Sequence, residues 1–174
     1  MQTPDDPEYY LHRDFNRNYS ESGTPFLDPA NIVIPRENAT WNWLIYGHNM
    51  KFETMFHDLQ KFDSKEFWET HRTFSFDVYN PIIGVTEHSE YEIFAAARSI
   101  IRTKGSDAFK YYQYGGCTDE ESFCEYIEGL KSESIYDTGI KPCFREQLVT
   151  LSTCAYHTSE GRFYIVGRRI SEGR

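Results

Sequence analysis

Along residues 149–154 the chain alternates, setting Val149, Leu151 and Thr153 against Thr150, Ser152 and Cys154, the two-residue period of a strand with unlike faces. A second aromatic and β-branched run, Phe163 to Ile170, predicts another strand, and the polar segment Tyr156 to Gly161 reads as the loop joining them. A hairpin-like pair returns Arg162, at the start of the second strand, to Cys154 at the end of the first. Upstream, "GTPFLD" (Gly23 to Asp28) and "WNWLIYGHNM" (Trp41 to Met50) read as short strands, separated by a polar, proline-containing connection from Pro29 to Thr40. Met55, Phe56, Leu59 and Phe62 fall at helical spacing and predict a helix over Thr54 to Phe62. Asp63-x-x-Glu66 reads as the capping box of a second short helix. Phe74, Phe76 and Val78 alternate, and Tyr91 to Ile101 predicts a longer strand through the core. Thr118-x-x-Glu121 then opens a helix with Phe123, Ile127 and Leu130 on one face. Runs of strands with an inserted helix define an α+β fold, mainly β, on a mixed or antiparallel barrel with peripheral helices.

The 174 residues carry no repeat or low-complexity linker and suffice for one domain, expected over 9–174 behind a disordered tail at 1–8. With 27 acidic against 18 basic side chains, and no cluster of Lys or Arg, the charge of −9 argues against nucleic acid as a partner. No apolar run approaches the roughly 20 residues of a membrane span, and the opening "MQTPDDPEYY" is not a signal peptide. Cys117, Cys124, Cys143 and Cys154 form no C-x-x-C pair, which removes support for a zinc ribbon or a thioredoxin-type redox motif. Their spacing leaves open a disulfide from Cys117 to Cys124 or Cys143.

A free thiol has a pKa near 8.5, so a cysteine nucleophile needs a cation or a base beside it. Of the six histidines, His48 stands out: in "IYGHNM" an apolar strand ends at Gly47 and exposes the next side chain at a strand-to-loop junction. Attack of a thiol on an amide also needs a proton donor for the leaving amine and a positive or N–H donor for the oxyanion. Cys154, His48 and Arg162 supply those roles. His157 and Glu160 read as parts of a solvated loop, and Asp119, Glu120 and Glu121 as a helix N-terminus rather than a calcium site, so no metal and no cofactor is expected.

"TLSTC", followed eight residues later by Arg162, and "YGHNM" about a hundred residues upstream together resemble a sortase, most closely class B. "YYLHRDFNRNYSESGTPFLD", "IYGHNMKFETMFHDL" and the helix between Thr118 and Lys131 resemble that class too, in which a long helix-bearing connection precedes the cysteine strand. The resemblance spans Tyr9 to Ile170. It implies a closed sortase β-barrel and a cysteine transpeptidase of Gram-positive bacteria that cleaves an N-P-x-T-N/G sorting signal after Thr. The thioester on Cys154 would pass to an amine of a cell-wall peptide. It further implies Leu11, Tyr46 and Ser152 as substrate-binding residues, and an extracellular location through a membrane anchor not contained in these residues. A cysteine protease or amidase, and a non-catalytic peptide-binding module, are the alternatives.

Overall fold

The computed structural model describes residues 5, 6, 8–100, 109–154 and 161–170. Its strands are β1 (Phe26–Leu27), β2 (Asn42–Tyr46), β3 (Thr73–Asn80), β4 (Val85–Ile100), β5 (Leu148–Cys154) and β6 (Gly161–Arg169). They form one six-stranded mixed sheet in the order β1-β2-β5-β6-β4-β3. Only β2 and β5 run parallel; every other neighbouring pair is antiparallel. The sheet curls far enough for Trp43 of β2 to meet Phe76 of β3 with ring centroids 6.1 Å apart, although these strands are not neighbours in it. Phe26 and Leu27 at one edge and Phe74, Phe76 and Val78 at the other thus line a shared apolar cavity of about 490 Å³. β3 shows the expected alternation, with Phe74, Phe76 and Val78 on its less exposed face.

The hydrophobic pattern located the elements and misplaced several boundaries. β4 begins at Val85 rather than Tyr91, because its polar first half pairs residue by residue with β3 in a long hairpin. β1 spans only Phe26–Leu27, and β2 stops at Tyr46 instead of running to Met50. The predicted helix over Thr54 to Phe62 is instead a 3-10 segment at His57–Asp63, with Leu59 buried. Both capping boxes lie one residue off. Ser64, not Asp63, caps α1 (Lys65–Thr70) by accepting from the Phe67 N–H. Asp119, not Thr118, caps α2 (Glu120–Glu133) by accepting from the Ser122 N–H. In each case the oxygen that reaches an orphan N–H of the first turn sets the start, and the x-x-Glu spacing alone does not identify it.

α2 covers one face of the sheet with Phe123, Tyr126 and Leu130 buried, while Ile127 is only half-buried. Tyr126 holds the position that Ile127 was expected to share. Its ring packs 5.2 Å from Trp41, and its hydroxyl bonds Thr150 Oγ1 at 2.7 Å. The chain leaving α2 lies across β4, with the Ile135 N–H donating to the Ala96 carbonyl at 2.9 Å. Ala95, Ala96 and Ala97 are buried there, and their small side chains permit that approach. The four cysteines are free thiols, so the disulfide left open by the spacing is not formed. No helix among the described residues is long and apolar enough to cross a membrane.

Candidate active site

Two strand pairings build the site. In the β5–β6 ladder Cys154 stands directly opposite Arg162. In the parallel β2–β5 ladder Tyr46 pairs with Ser152. The pairing continues past the strand end, where the Gly47 N–H donates to the Ser152 carbonyl at 3.0 Å and Thr153 Oγ1 donates to the Gly47 carbonyl at 2.8 Å. His48 therefore leaves β2 alongside the C-terminal end of β5. A Cβ on Gly47 would lie 2.6 Å from the Phe56 ring, so only glycine permits this close passage.

Leu11, Tyr46, His48, Ser152, Cys154 and Arg162 all line one cleft of about 340 Å³. Its floor is less accessible than the sequence suggested for two of them. Ser152 is buried, and its hydroxyl shares a 2.7 Å hydrogen bond with Tyr111. Tyr46 donates to Asp28 at 2.9 Å, and burial, reinforced by that carboxylate, pushes its phenol far above the ordinary range. Burial also raises the Tyr111 phenol, to about 12, with Arg162 close enough to oppose the shift. Both tyrosines are thus neutral hydrogen-bonding groups at any physiological pH. Leu11 contributes through its backbone: His48 Nε2 lies 2.7 Å from the Leu11 carbonyl. A carbonyl only accepts, so Nε2 carries the hydrogen, and Nδ1 is the ring nitrogen left to exchange a proton.

Arg168 and Arg169 sit at the far end of β6, away from Cys154. Arg168 is engaged by Glu92 at 2.9 Å and Glu146 at 3.3 Å, and Arg169 by Glu87 at 2.6 Å. Tyr111, Tyr112 and Asp28 were missed as lining residues. The "KYYQY" run was the one available signal for the tyrosines, since nothing local marks them as belonging to this cleft. His157 and Glu160 lie outside the described residues. Asp119 is occupied as the α2 cap, where hydrogen bonds from Ser122 hold its carboxyl below the usual range. Among the described residues no group of three or more His, Cys, Asp or Glu side chains is placed to hold a metal ion.

No protein-family model matches the chain. It is 32% identical over 169 residues to sortase B of Listeria monocytogenes, an alignment covering 96% of this chain and 62% of that protein. The solved structure of sortase B from Listeria monocytogenes superposes with a TM-score of 0.75, at 32% identity, over 94% of this chain and 82% of that one. A Staphylococcus aureus sortase B–substrate complex shares the fold at 23% identity, with a TM-score of 0.77 over 99% of this chain and 73% of that one. The chain belongs to the class B sortases. It spans 62% and 60% of the length of the two curated relatives it matches.

Proposed function

We propose that the chain is the catalytic domain of a cysteine transpeptidase that cuts an N-P-x-T-N/G sorting signal after Thr and joins the new carbonyl to an amine of a cell-wall peptide. The observation that carries this reading is the pairing of Cys154 with Arg162 across β5 and β6, in the cleft that also holds His48. In this mechanism the Cys154 thiol passes its proton to His48 as the sulfur attacks the threonine carbonyl carbon. The Arg162 guanidinium would donate to the oxygen as it becomes negative. His48 gives a proton to the departing amine, the C–N bond breaks, and a thioester on Cys154 remains. An incoming amine then loses a proton to His48 as it attacks the thioester; the C–S bond breaks to give the new amide, and the proton returns from His48 to the sulfur to restore the thiol.

Leu11, Tyr46 and Ser152 are proposed to bind substrate, Tyr46 and Ser152 from the floor of the cleft, where they are held by Asp28 and Tyr111. The protein would act on the extracellular face of a Gram-positive membrane, held by an anchor outside these residues. Its partners would be secreted proteins bearing the signal and wall-peptide amines. That a Staphylococcus aureus sortase B of the same fold was solved as a substrate complex supports a substrate-binding role. The test incubates an N-P-x-T-N peptide with the chain and a series of amines, oligoglycine and diaminopimelate-containing peptides among them, and follows products by chromatography with mass detection. Amide conjugate should form at the expense of free acid, and Cys154→Ala should abolish both products. Fast hydrolysis without conjugate from any amine would make the protein a cysteine protease. A peptide that binds but stays intact would make it a binding module.

A further inference from the structure

At the last residue of β5 the ladder toward β2 has given way to side chains. Asn49 Nδ2 donates to the Cys154 carbonyl at 3.0 Å, and Gln60 Nε2 donates to the same oxygen at 3.3 Å. Asn49 is buried, at 5% exposure, and its Oδ1 lies 2.9 Å from His57 Nδ1. The chemistry fixes every polarity in this chain. Because the Cys154 carbonyl only accepts, Asn49 must present its NH₂ to it and its oxygen to His57, and His57 Nδ1 must carry a hydrogen. His57 and Gln60 stand three residues apart in the segment that is 3-10 rather than α-helical, and in a 3-10 helix side chains at i and i+3 eclipse one another. That geometry turns both side chains toward one face, where His57 meets Asn49 and Gln60 meets Cys154.

We infer that Asn49, oriented by His57 and assisted by Gln60, is a positioning residue that fixes the Cys154 backbone relative to His48. Asn49 directly follows His48, so a displacement of this clamp moves the base and the nucleophile relative to each other. Two further bonds join the same segments, Gly47 N–H to the Ser152 carbonyl and Thr153 Oγ1 to the Gly47 carbonyl. Both act before the reacting residues are reached. Of these four bonds, those from Asn49 and Gln60 end on Cys154 itself. Misplacement of reacting groups by about 1 Å can cost roughly a hundredfold in rate.

The inference rests on Cys154 being the nucleophile, and the experiment separates the two. His57→Asn and His57→Asp have the same shape, but Asn keeps a donor at the Nδ1 position whereas Asp offers only acceptors there. Asp should reverse the Asn49 amide and turn its oxygen against the Cys154 carbonyl. Single-turnover acylation by an N-P-x-T-N peptide is measured for each variant alongside KM. The expected result is a rate within about threefold of the parent for His57→Asn, and at least about tenfold lower for His57→Asp, with KM changed by less than about twofold. The gap should persist in 0.5 M salt (about half the Debye length of physiological salt), which screens the added charge but leaves the hydrogen bond. Gln60→Ala, at a half-buried site, should lose about threefold in the same rate. Equal rates for the Asn and Asp variants, or a gap that closes in salt, would overturn the clamp. Acylation surviving in Cys154→Ala would instead overturn the assignment of the nucleophile.

Discussion

Gly23 controls the Leu11 carbonyl, and substituting it should disable His48 from a distance. Its φ is +57°, and a Cβ added there would lie 2.6 Å from the Tyr10 carbonyl oxygen and closer still to that of Leu11. The approach is enforced from both sides, since the Thr24 N–H donates to the Tyr10 carbonyl at 3.0 Å and Thr24 Oγ1 to the Arg13 carbonyl at 2.9 Å. Ordinary contact begins near 3.4 Å, so in Gly23→Ala the 3-10 turn Tyr9–His12 must retreat by most of an ångström. A similar retreat would take the 2.7 Å bond from His48 Nε2 to Leu11 to the limit of hydrogen bonding. Losing such a bond is worth about 1 kcal/mol, roughly fivefold in the population of correctly held imidazole. The left-handed backbone adds roughly 1–2 kcal/mol of lost stability, about 2–8 °C in Tm for a chain of this size. Gly84→Ala and Gly139→Ala are the controls, having φ of +67° and +74° with nothing within 4 Å of the added Cβ. Thermal denaturation and single-turnover acylation of all three variants decide the matter. All should lose Tm, and only Gly23→Ala should lose about fivefold in acylation rate. Full activity in Gly23→Ala, or an equal loss in the controls, would refute the link from Gly23 through Leu11 to His48.

Arg162→Ala should lower turnover by roughly a hundredfold, with Arg162→Lys recovering little, whereas Arg168→Ala should keep turnover and lower Tm because Glu92 and Glu146 lose their shared partner. The reverse pattern in a rate-and-melting comparison would show the wrong arginine had been assigned. Tyr126→Phe should cost about 1 kcal/mol in urea denaturation, since it removes the bond to Thr150 Oγ1 while Thr150 keeps its bond to Asn42; unchanged stability would refute that account. Tyr111 makes stability fall at alkaline pH. Burial raises its folded-state value to about 12, above the ordinary value of 10, so its contribution is intact below pH 10 and is lost as pH rises from 10 toward 12. Urea denaturation at pH 9, 10 and 11 should show this decline, and Tyr111→Phe should flatten part of it; an identical decline in the variant would exclude Tyr111 as a source.

The β5–β6 pair was legible because period-two alternation and a polar break specify an antiparallel return, and that return alone places Arg162 against Cys154. His48 could be singled out by its place at a strand end, but its approach to Cys154 depends on the parallel β2–β5 pairing across about a hundred residues, which no local pattern encodes. The 3-10 segment shows the opposite failure. Met55, Phe56, Leu59 and Phe62 satisfy a helical period, yet Met55 has a φ of +58° and is exposed, and the segment folds with i+3 geometry at His57–Asp63. An α-helix rotates by 100° per residue and would set His57 and Gln60 about 60° apart around its axis; at three residues per turn they align. Hydrophobic spacing reports which side chains reach the core, and here Leu59 does so in either conformation. The choice between them falls to polar partners outside the segment: Asn49, close in sequence to His57, and the Cys154 carbonyl, distant from Gln60 and brought near by the β2–β5 pairing. The residues that set the geometry of the cleft were therefore hardest to read where they act through backbone groups of other segments, as Leu11 does on His48 and Asn49 on Cys154.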